Sequence, residues 1–176
     1  MLLDRLFQPK PAVATGRALY AQVVEQARNP VLYEALGCPD TVEGRFELYT
    51  LHVMLVLERL RAAGERAGDI SQALFDTYVK GLDDGLREMG VGDLSVGKKM
   101  RRLGEAFYGR GKSYNAALAE LPDEGPLSAL IARTVYEGAD AARAPALTAY
   151  VLRQREALAH SPVERLLAGE IGWARG

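Results

Sequence analysis

The stretch Gly92–Lys99, GDLSVGKK, comes within one residue of the phosphate-binding pattern GxxxxGK[ST]. In that pattern a buried strand leads into the loop, glycines let backbone N–H groups surround the phosphates, and the hydroxyl after the lysine holds Mg²⁺. Here Lys99 replaces the hydroxyl, and the preceding LREMG ends an amphipathic helical pattern rather than a strand. The sequence therefore indicates that this stretch is not a nucleotide site.

We expect the same stretch to form a structural joint between two helices. Gly90 supplies the left-handed residue that closes the first helix, and Gly92 lets the chain turn. Asp93 or Ser95 then caps the second helix, because either side chain can accept a hydrogen bond from its free N–H groups. Gly97 follows in the first turns of that helix.

Basic residues cluster just after this joint, and residues 98–112 carry a net charge of +5 in a chain of net charge −1. The basic residues are Lys98, Lys99, Arg101, Arg102, Arg110 and Lys112, offset only by Glu105. At about 100° per residue, the first four lie on an arc opposite an apolar stripe that includes Leu103 and Phe107. Two interpretations stay open: a solvated helix face, or a docking surface for an acidic or phosphate-rich partner.

Two adjacent carboxylates, Asp83 and Asp84, lie on the helix before the joint. Adjacent residues on a helix point about 100° apart, so the pair does not form a shared acid–base site. We expect them to be solvated or to form ion pairs with residues 98–102, and they join the basic residues as candidate partner-binding residues.

The chain offers no other catalytic or metal-binding pattern. His52 and His160 are its two histidines, and neither builds a three- or four-ligand metal site with residues at helical spacing. The serines fall at predicted caps and turns, and none stands in GxSxG. The sequence therefore predicts no catalytic residue, no cofactor, no bound metal and no enzyme activity.

The sequence that must position these residues has almost no patterns typical of β-strands. It contains many residues that begin or end helices. With 176 residues and 48% apolar content, the chain is expected to form one all-α domain, a bundle of about seven to eight helices. The centre of the bundle is predicted to be a long apolar helix over about residues 41–63, whose apolar stripe begins at Val42. On the next helix the stripe is predicted to face inward as far as Met89.

Particular caps predict where several helices begin. Thr15 is expected to cap the first helix, Asp69 the fourth, and Ser113 a sixth that follows a fifth over about residues 95–108. The stretch Ser161–Glu164, SPVE, combines a capping box with proline and predicts another start. The longest apolar run, residues 48–60, is shorter than the roughly 20 residues of a membrane span. The chain is accordingly expected to have no transmembrane segment and to be cytoplasmic.

Two stretches resemble the ubiquinol–cytochrome c chaperone domain: residues 40–61, DTVEGRFELYTLHVMLVLERLR, and residues 73–110, ALFDTYVKGLDDGLREMGVGDLSVGKKMRRLGEAFYGR. The resemblance covers most of residues 10–155 and is most specific from Phe75 to Arg110. The residues themselves predict an N-terminal arm over residues 1–12 and a single helical domain over 13–176. That domain divides into a chaperone-like core at about 13–143 and C-terminal helices over 144–176.

The resemblance implies a non-catalytic protein that binds cytochrome b, or its nascent chain, during biogenesis of the respiratory cytochrome bc1 complex. Mitochondrial members of the family work with a small partner protein and associate with the ribosome near its exit tunnel. For a bacterial chain it implies a protein client, no DNA, and a cytoplasmic location with peripheral contact at the inner membrane. The alternative is a helical adaptor that docks its basic helix face on the ribosome or on an anionic membrane surface.

Overall fold

The computed structural model describes residues 11–175, and within that range all regular secondary structure is helical, with no β-strand. The helices are α1 (Pro11–Ala27), α2 (Pro30–Glu34), α3 (Val42–Arg61), α4 (Gly68–Glu88), α5 (Asp93–Ala119), α6 (Gly125–Thr134), α7 (Ala144–His160) and α8 (Val163–Leu167). Short 3₁₀ turns precede α4 and α7, at Gly64–Ala67 and Ala141–Arg143. The predicted all-α fold is confirmed.

Helix α3 lies at the centre of the bundle, as predicted. It packs against α1, α4, α5, α7 and α8, and most of its side chains are buried on more than one face. Its start follows the predicted capping pattern, because the Thr41 hydroxyl accepts a hydrogen bond of 3.0 Å from the backbone N–H of Gly44. Helices α4, α5, α7 and α8 are therefore positioned against one long, buried helix, whereas α6 packs on α5 and α7.

Helices α1 and α4 pack closely along one side of α3. A side chain at Gly16 would not fit there, since a Cβ atom would lie 2.7 Å from the backbone carbon of Ala73. The predicted start at Thr15 is wrong, because α1 already includes Pro11 and Thr15 lies inside it. The predicted cap at Asp69 is also wrong: a 3₁₀ turn leads directly into α4, and Asp69 is the second residue of that helix.

The joint between α4 and α5 forms where the glycines predict it. Gly90 has a φ of 81°, and the N–H of Val91 donates to the carbonyl of Leu86 at 3.0 Å, the pattern of a Schellman motif. The predicted side-chain cap is wrong: Gly92 is the N-cap and no side chain bonds to the free N–H groups. Asp93 instead accepts a hydrogen bond from Arg87 across the joint.

Helix α5 runs unbroken for 27 residues, so the predicted separation into a helix ending near Tyr108 and another beginning at Ser113 is wrong. Gly109 and Gly111 lie between the two predicted helices. A glycine inside a helix costs only about 1 kcal/mol relative to alanine. That cost is offset because Phe107, Tyr114 and Ala117 continue one buried stripe across the glycines.

The region after α7 closes back onto α1 and α7. The predicted capping box at Ser161 does not form, because α8 begins at Val163 and the buried Ser161 hydroxyl has no hydrogen-bond partner in residues 11–175. Beyond α8, the Gln22 side chain donates to the carbonyl of Gly169 at 2.7 Å and accepts from the N–H of Ile171 at 2.9 Å. The 168–175 segment is thus held by side chains from α1 and α7.

Residues 1–10 of the predicted N-terminal arm lie outside the described residues, and Pro11 and Ala12 belong to α1. Across residues 11–175, no helix combines the length and the apolar character that crossing a lipid bilayer requires.

Candidate protein-binding surface

The arc of cations on α5 forms as predicted. Lys98, Lys99, Arg101 and Arg102 are all exposed, while Val96 and Phe107 on the opposite side of the helix are buried. None of these four cations, nor the exposed Lys112, forms an ion pair with a carboxylate of residues 11–175. The helix therefore presents unneutralised positive charge to solvent.

Arg110 belongs to the same sequence cluster but is held differently. Its guanidinium binds Glu47 of α3 through two contacts of 2.8 Å, from Nε to Oε2 and from Nη2 to Oε1. The Glu47 side chain is only 7% exposed. The hydrogen bonds that Arg110 donates to Glu47 raise the pKa of Arg110 above its ordinary value. Arg110 is therefore a structural link between α3 and α5, and its charge is neutralised inside the protein.

The two carboxylates of α4 do not meet the basic arc. Asp83 binds Arg87 and Asp84 binds Lys80, each at 2.6 Å and each one turn apart on the same helix. The alternative in which they form ion pairs with residues 98–102 is therefore wrong. Their charge is neutralised along α4, which leaves the arc on α5 without a counterpart.

A groove of about 870 Å³ lies beside the arc, bounded by the first half of α3, the end of α4, the first half of α5 and the end of α6. We call it the basic-rimmed groove. Its apolar lining consists of Val42, Phe46, Leu82, Leu86, Met89, Val91 and Leu103. Val42 is 51% exposed and Met89 is 53% exposed, so the expectation that both face the core is wrong. The apolar stripes of α3 and α4 extend past the core and end in this groove.

The rim of the basic-rimmed groove includes only part of the arc. Lys99 and Arg102 line it, together with Arg133 of α6, whereas Lys98 and Arg101 do not. This division follows from the helical angles, because Lys99 and Arg102 lie on the side of α5 nearest Leu103. Sequence reasoning missed Arg133, since nothing in the spacing of α6 relates it to α5.

A second groove of about 550 Å³ lies between the other halves of α3 and α5. Aromatic and aliphatic residues line it, with the ring centres of Phe75 and Phe107 5.1 Å apart and those of Phe75 and Tyr108 6.1 Å apart. Tyr108 is 69% exposed at its mouth, and Lys112 lies beside it. This groove offers an apolar surface with fewer charges than the first.

The side chains of His52 and His160 both form hydrogen bonds within the protein. His52 is fully buried; its Nδ1 donates to the carbonyl of Leu48 at 2.7 Å and its Nε2 accepts from the Tyr150 hydroxyl at 2.8 Å. Burial lowers the pKa of His52 to about 4, so the ring is neutral at physiological pH. His160 bonds to the carbonyl of Glu156. Within residues 11–175, no group of three or more potential metal ligands comes together.

Residues 11–175 form an all-helical bundle with an open, apolar-lined groove and a charged rim. The chain matches the Ubiquinol-cytochrome C chaperone family over residues 34–173 and belongs to that family. The family is one of chaperones that assist assembly of the ubiquinol–cytochrome c reductase complex, which confirms the resemblance read from residues 40–61 and 73–110.

Individual relatives agree with the family match. The chain is 24% identical over 158 residues to ubiquinol-cytochrome-c reductase complex assembly factor 1 of Xenopus laevis, covering 88% of this chain and 78% of the relative. The corresponding factor of Mus musculus is 25% identical, with 88% of this chain and 53% of the relative covered. The crystal structure of the Cbp3 homolog from Brucella abortus superposes with a TM-score of 0.84 at 33% identity, over 99% and 97% of the two chains.

Proposed function

We propose that this protein binds cytochrome b, or its nascent chain, as a non-catalytic chaperone during assembly of the cytochrome bc1 complex. The observation that carries the proposal is the family match over residues 34–173. The assembly factors from frog and mouse are named for work on the same complex. The open apolar groove beside unpaired cations supports a protein client, because a contiguous exposed apolar patch on a soluble domain marks an interaction site.

The proposal is tested by deleting the gene in an organism that makes a cytochrome bc1 complex. We expect the deletion to lower the amount of assembled complex and of haem-loaded cytochrome b, and plasmid-borne wild-type protein to restore both. Blue-native electrophoresis measures the complex, and reduced-minus-oxidised absorbance spectra measure the cytochrome. Normal levels of both in the deletion strain would rule the proposal out.

The client itself is identified by crosslinking in respiring cells, with antibody detection of cytochrome b in the captured product. Treatment with puromycin before crosslinking separates two forms of the client. A product that survives puromycin indicates completed cytochrome b, and a product lost with it indicates the nascent chain. A product containing other subunits of the complex but never cytochrome b would contradict the proposed client.

A second candidate function is an adaptor that docks its basic helix face on the ribosome or on an anionic membrane surface. The exposed Lys98 and Arg101 favour it, because they are unpaired within residues 11–175 and lie outside the basic-rimmed groove. In that case the double variant Lys98→Glu/Arg101→Glu should no longer sediment with ribosomes or anionic vesicles. Assembly of the bc1 complex should stay intact. Phosphate-bearing partners should also dissociate steeply as salt rises.

A further inference from the structure

We propose that the basic-rimmed groove holds an amphipathic helix of the protein client. The apolar face of that helix lies on the groove floor, and acidic residues flanking the face meet Lys99, Arg102 and Arg133. The inference rests on the proposed function in that it takes the client to be a protein, and it adds the surface and the chemistry that the surface selects.

The fold leaves several apolar residues of the basic-rimmed groove uncovered. Val42 and Met89 are about half exposed at the mouth, above a floor that includes the buried Phe46 and Leu86. Burying such side chains against a partner gains about 25 cal/mol per Å² of apolar surface removed from water. Methionine adapts its shape to different apolar neighbours, which suits a surface that receives a partner. The groove therefore offers a continuous apolar face rather than isolated exposed residues.

The charge of the rim determines which residues should flank the apolar face of the bound helix. Six basic and four acidic side chains line the groove. Arg45 is paired with Asp40, and Arg110 is paired with Glu47. Arg28, Lys99, Arg102 and Arg133 form no ion pair with carboxylates of residues 11–175, and they stand against the exposed Glu43, Glu88 and Glu137, so the rim carries an excess of one positive charge. The excess is positive, so the complementary occupant is acidic at its edges.

The walls favour a helix over an extended peptide. A peptide that binds by adding a strand to a sheet needs a free strand edge, and residues 11–175 contain no strand. The walls are helices whose side chains, such as Leu82 and Leu86, stand one turn apart. A helix that satisfies its own backbone can bind such a surface through side chains spaced at i, i+3, i+4 and i+7.

A binding experiment on the purified protein uses three fluorescein-labelled peptides of about 18 residues, or five helical turns. One carries a leucine stripe flanked by glutamates, one carries the same stripe flanked by lysines, and one has the glutamate composition in scrambled order. Fluorescence polarisation at fixed salt should show the first peptide binding at least about tenfold more tightly than either of the others. Equal binding of the scrambled peptide, or no saturable binding of the glutamate peptide, would overturn the proposal.

A matched pair of charge reversals locates the site on α5. The double variant Lys99→Glu/Arg102→Glu alters the groove rim, and Lys98→Glu/Arg101→Glu makes the same charge change on the same helix outside the groove. The rim variant should bind the glutamate peptide about tenfold more weakly and the lysine peptide more tightly, whereas the control should change either affinity less than about threefold. Equal effects of the two variants would mean that the peptide senses overall charge, which contradicts the groove.

A second matched pair tests the apolar face without touching charge. Met89→Ser removes an apolar residue from the mouth of the groove, and Leu94→Ser removes one that is fully exposed outside it. Both positions are exposed, so neither change should affect folding, which circular dichroism checks. We expect about a fivefold loss of peptide affinity for Met89→Ser and none for Leu94→Ser. The reverse order would place the apolar contact elsewhere.

The same charge variants in the deletion strain separate this inference from the proposed function. Normal bc1 assembly in the strain with no copy at all defeats the proposed function. Defective assembly there, with full rescue by the rim variant as well as by wild type, defeats the groove and leaves the chaperone role standing. We expect the control variant to rescue fully and the rim variant to rescue poorly at equal protein levels, measured by immunoblot.

Discussion

The face closed by the 168–175 segment holds several polar groups in buried hydrogen bonds, whereas the face that carries the basic-rimmed groove exposes its charged groups to solvent. The closed face is not fully paired, because the Ser161 hydroxyl and the indole N–H of Trp173 are buried without a hydrogen-bond partner in residues 11–175. On the closed face the Tyr150 hydroxyl accepts from Gln26 at 2.8 Å and donates to His52 at 2.8 Å. The ring of Trp173 covers His52, with ring centres 5.5 Å apart. Around the groove, cations and apolar side chains of the described chain are left unpaired and uncovered. This difference supports the proposal that the groove face, rather than the closed face, binds a partner.

Arg110 is the clearest exception to this difference, because it lines the groove and yet its charge is paired with Glu47. Replacing it by leucine leaves Glu47 buried without its partner, so Arg110→Leu should lower the free energy of unfolding by about 3 kcal/mol. Lys112→Leu is the control, since Lys112 is exposed and lacks an ion pair with residues 11–175. It should shift stability by less than about 0.5 kcal/mol. Urea denaturation followed by circular dichroism measures both, and equal losses would contradict the assignment.

The closed face should make stability depend on pH through His52. Its pKa is about 4 in the folded protein against 6.5 for the ordinary ring, so the unfolded chain binds more protons between these values. Stability is fully present above pH 6.5 and falls as the pH drops toward 4, by up to about 3 kcal/mol. Denaturation curves between pH 4 and 7 measure this loss.

The variant His52→Leu is the control for that pH dependence. It should lose the slope between pH 4 and 6.5, because no ring remains to take up a proton. It should also be less stable at pH 7 by about 2 kcal/mol, since Tyr150 keeps a buried hydroxyl without its acceptor. Parallel curves for wild type and variant would mean that other groups cause the acid sensitivity.

Replacing a glycine by alanine should change stability in opposite directions in the packed and open parts of the molecule. Gly16→Ala places a Cβ 2.7 Å from three atoms of Ala73 and Leu74 and should destabilise by about 2 kcal/mol through overpacking. Gly97→Ala on α5 meets no atom within 4 Å and should stabilise by about 1 kcal/mol through helix propensity. Thermal unfolding of the pair checks this, and two changes of the same sign would refute it.

The smallest effect is expected at the ion pairs along α4. Arg87→Ala removes the partner of Asp83 and of Asp93, but water solvates both carboxylates once the arginine is gone. The free energy of unfolding should fall only slightly, and by less in high salt, because the pairs are exposed to solvent. Urea denaturation at low and high salt measures it. A larger, salt-independent loss would show that the joint depends on this contact.

Local signals that act within a few residues predicted much of this fold. Thr41 caps α3 and Gly90 closes α4, because these residues act through backbone conformation and nearby N–H groups. Predictions failed where packing outweighed a local preference. Ser113 could have capped a helix, but the buried stripe through Tyr114 carries α5 past the glycines.

Only part of the candidate site could be predicted from the sequence. The arc of four cations follows from helical geometry alone. Its division into Lys99 and Arg102 on the groove and Lys98 and Arg101 away from it depends on where α4 and α6 lie. The pairing of Arg110 with Glu47 joins residues 63 positions apart, and no spacing rule on one helix predicts such a contact.

The two hydrogen bonds between Gln22 and the 168–175 segment also determine how late in synthesis this protein can finish folding. These hydrogen bonds join residues 147 and 149 positions apart, so a ribosome must add nearly the whole described chain before they can form. At roughly 5–20 residues per second, α1 spends several seconds with that edge uncovered. The chaperone therefore completes its own structure late in synthesis, and nascent chains stalled before Gly169 should remain sensitive to protease near α1.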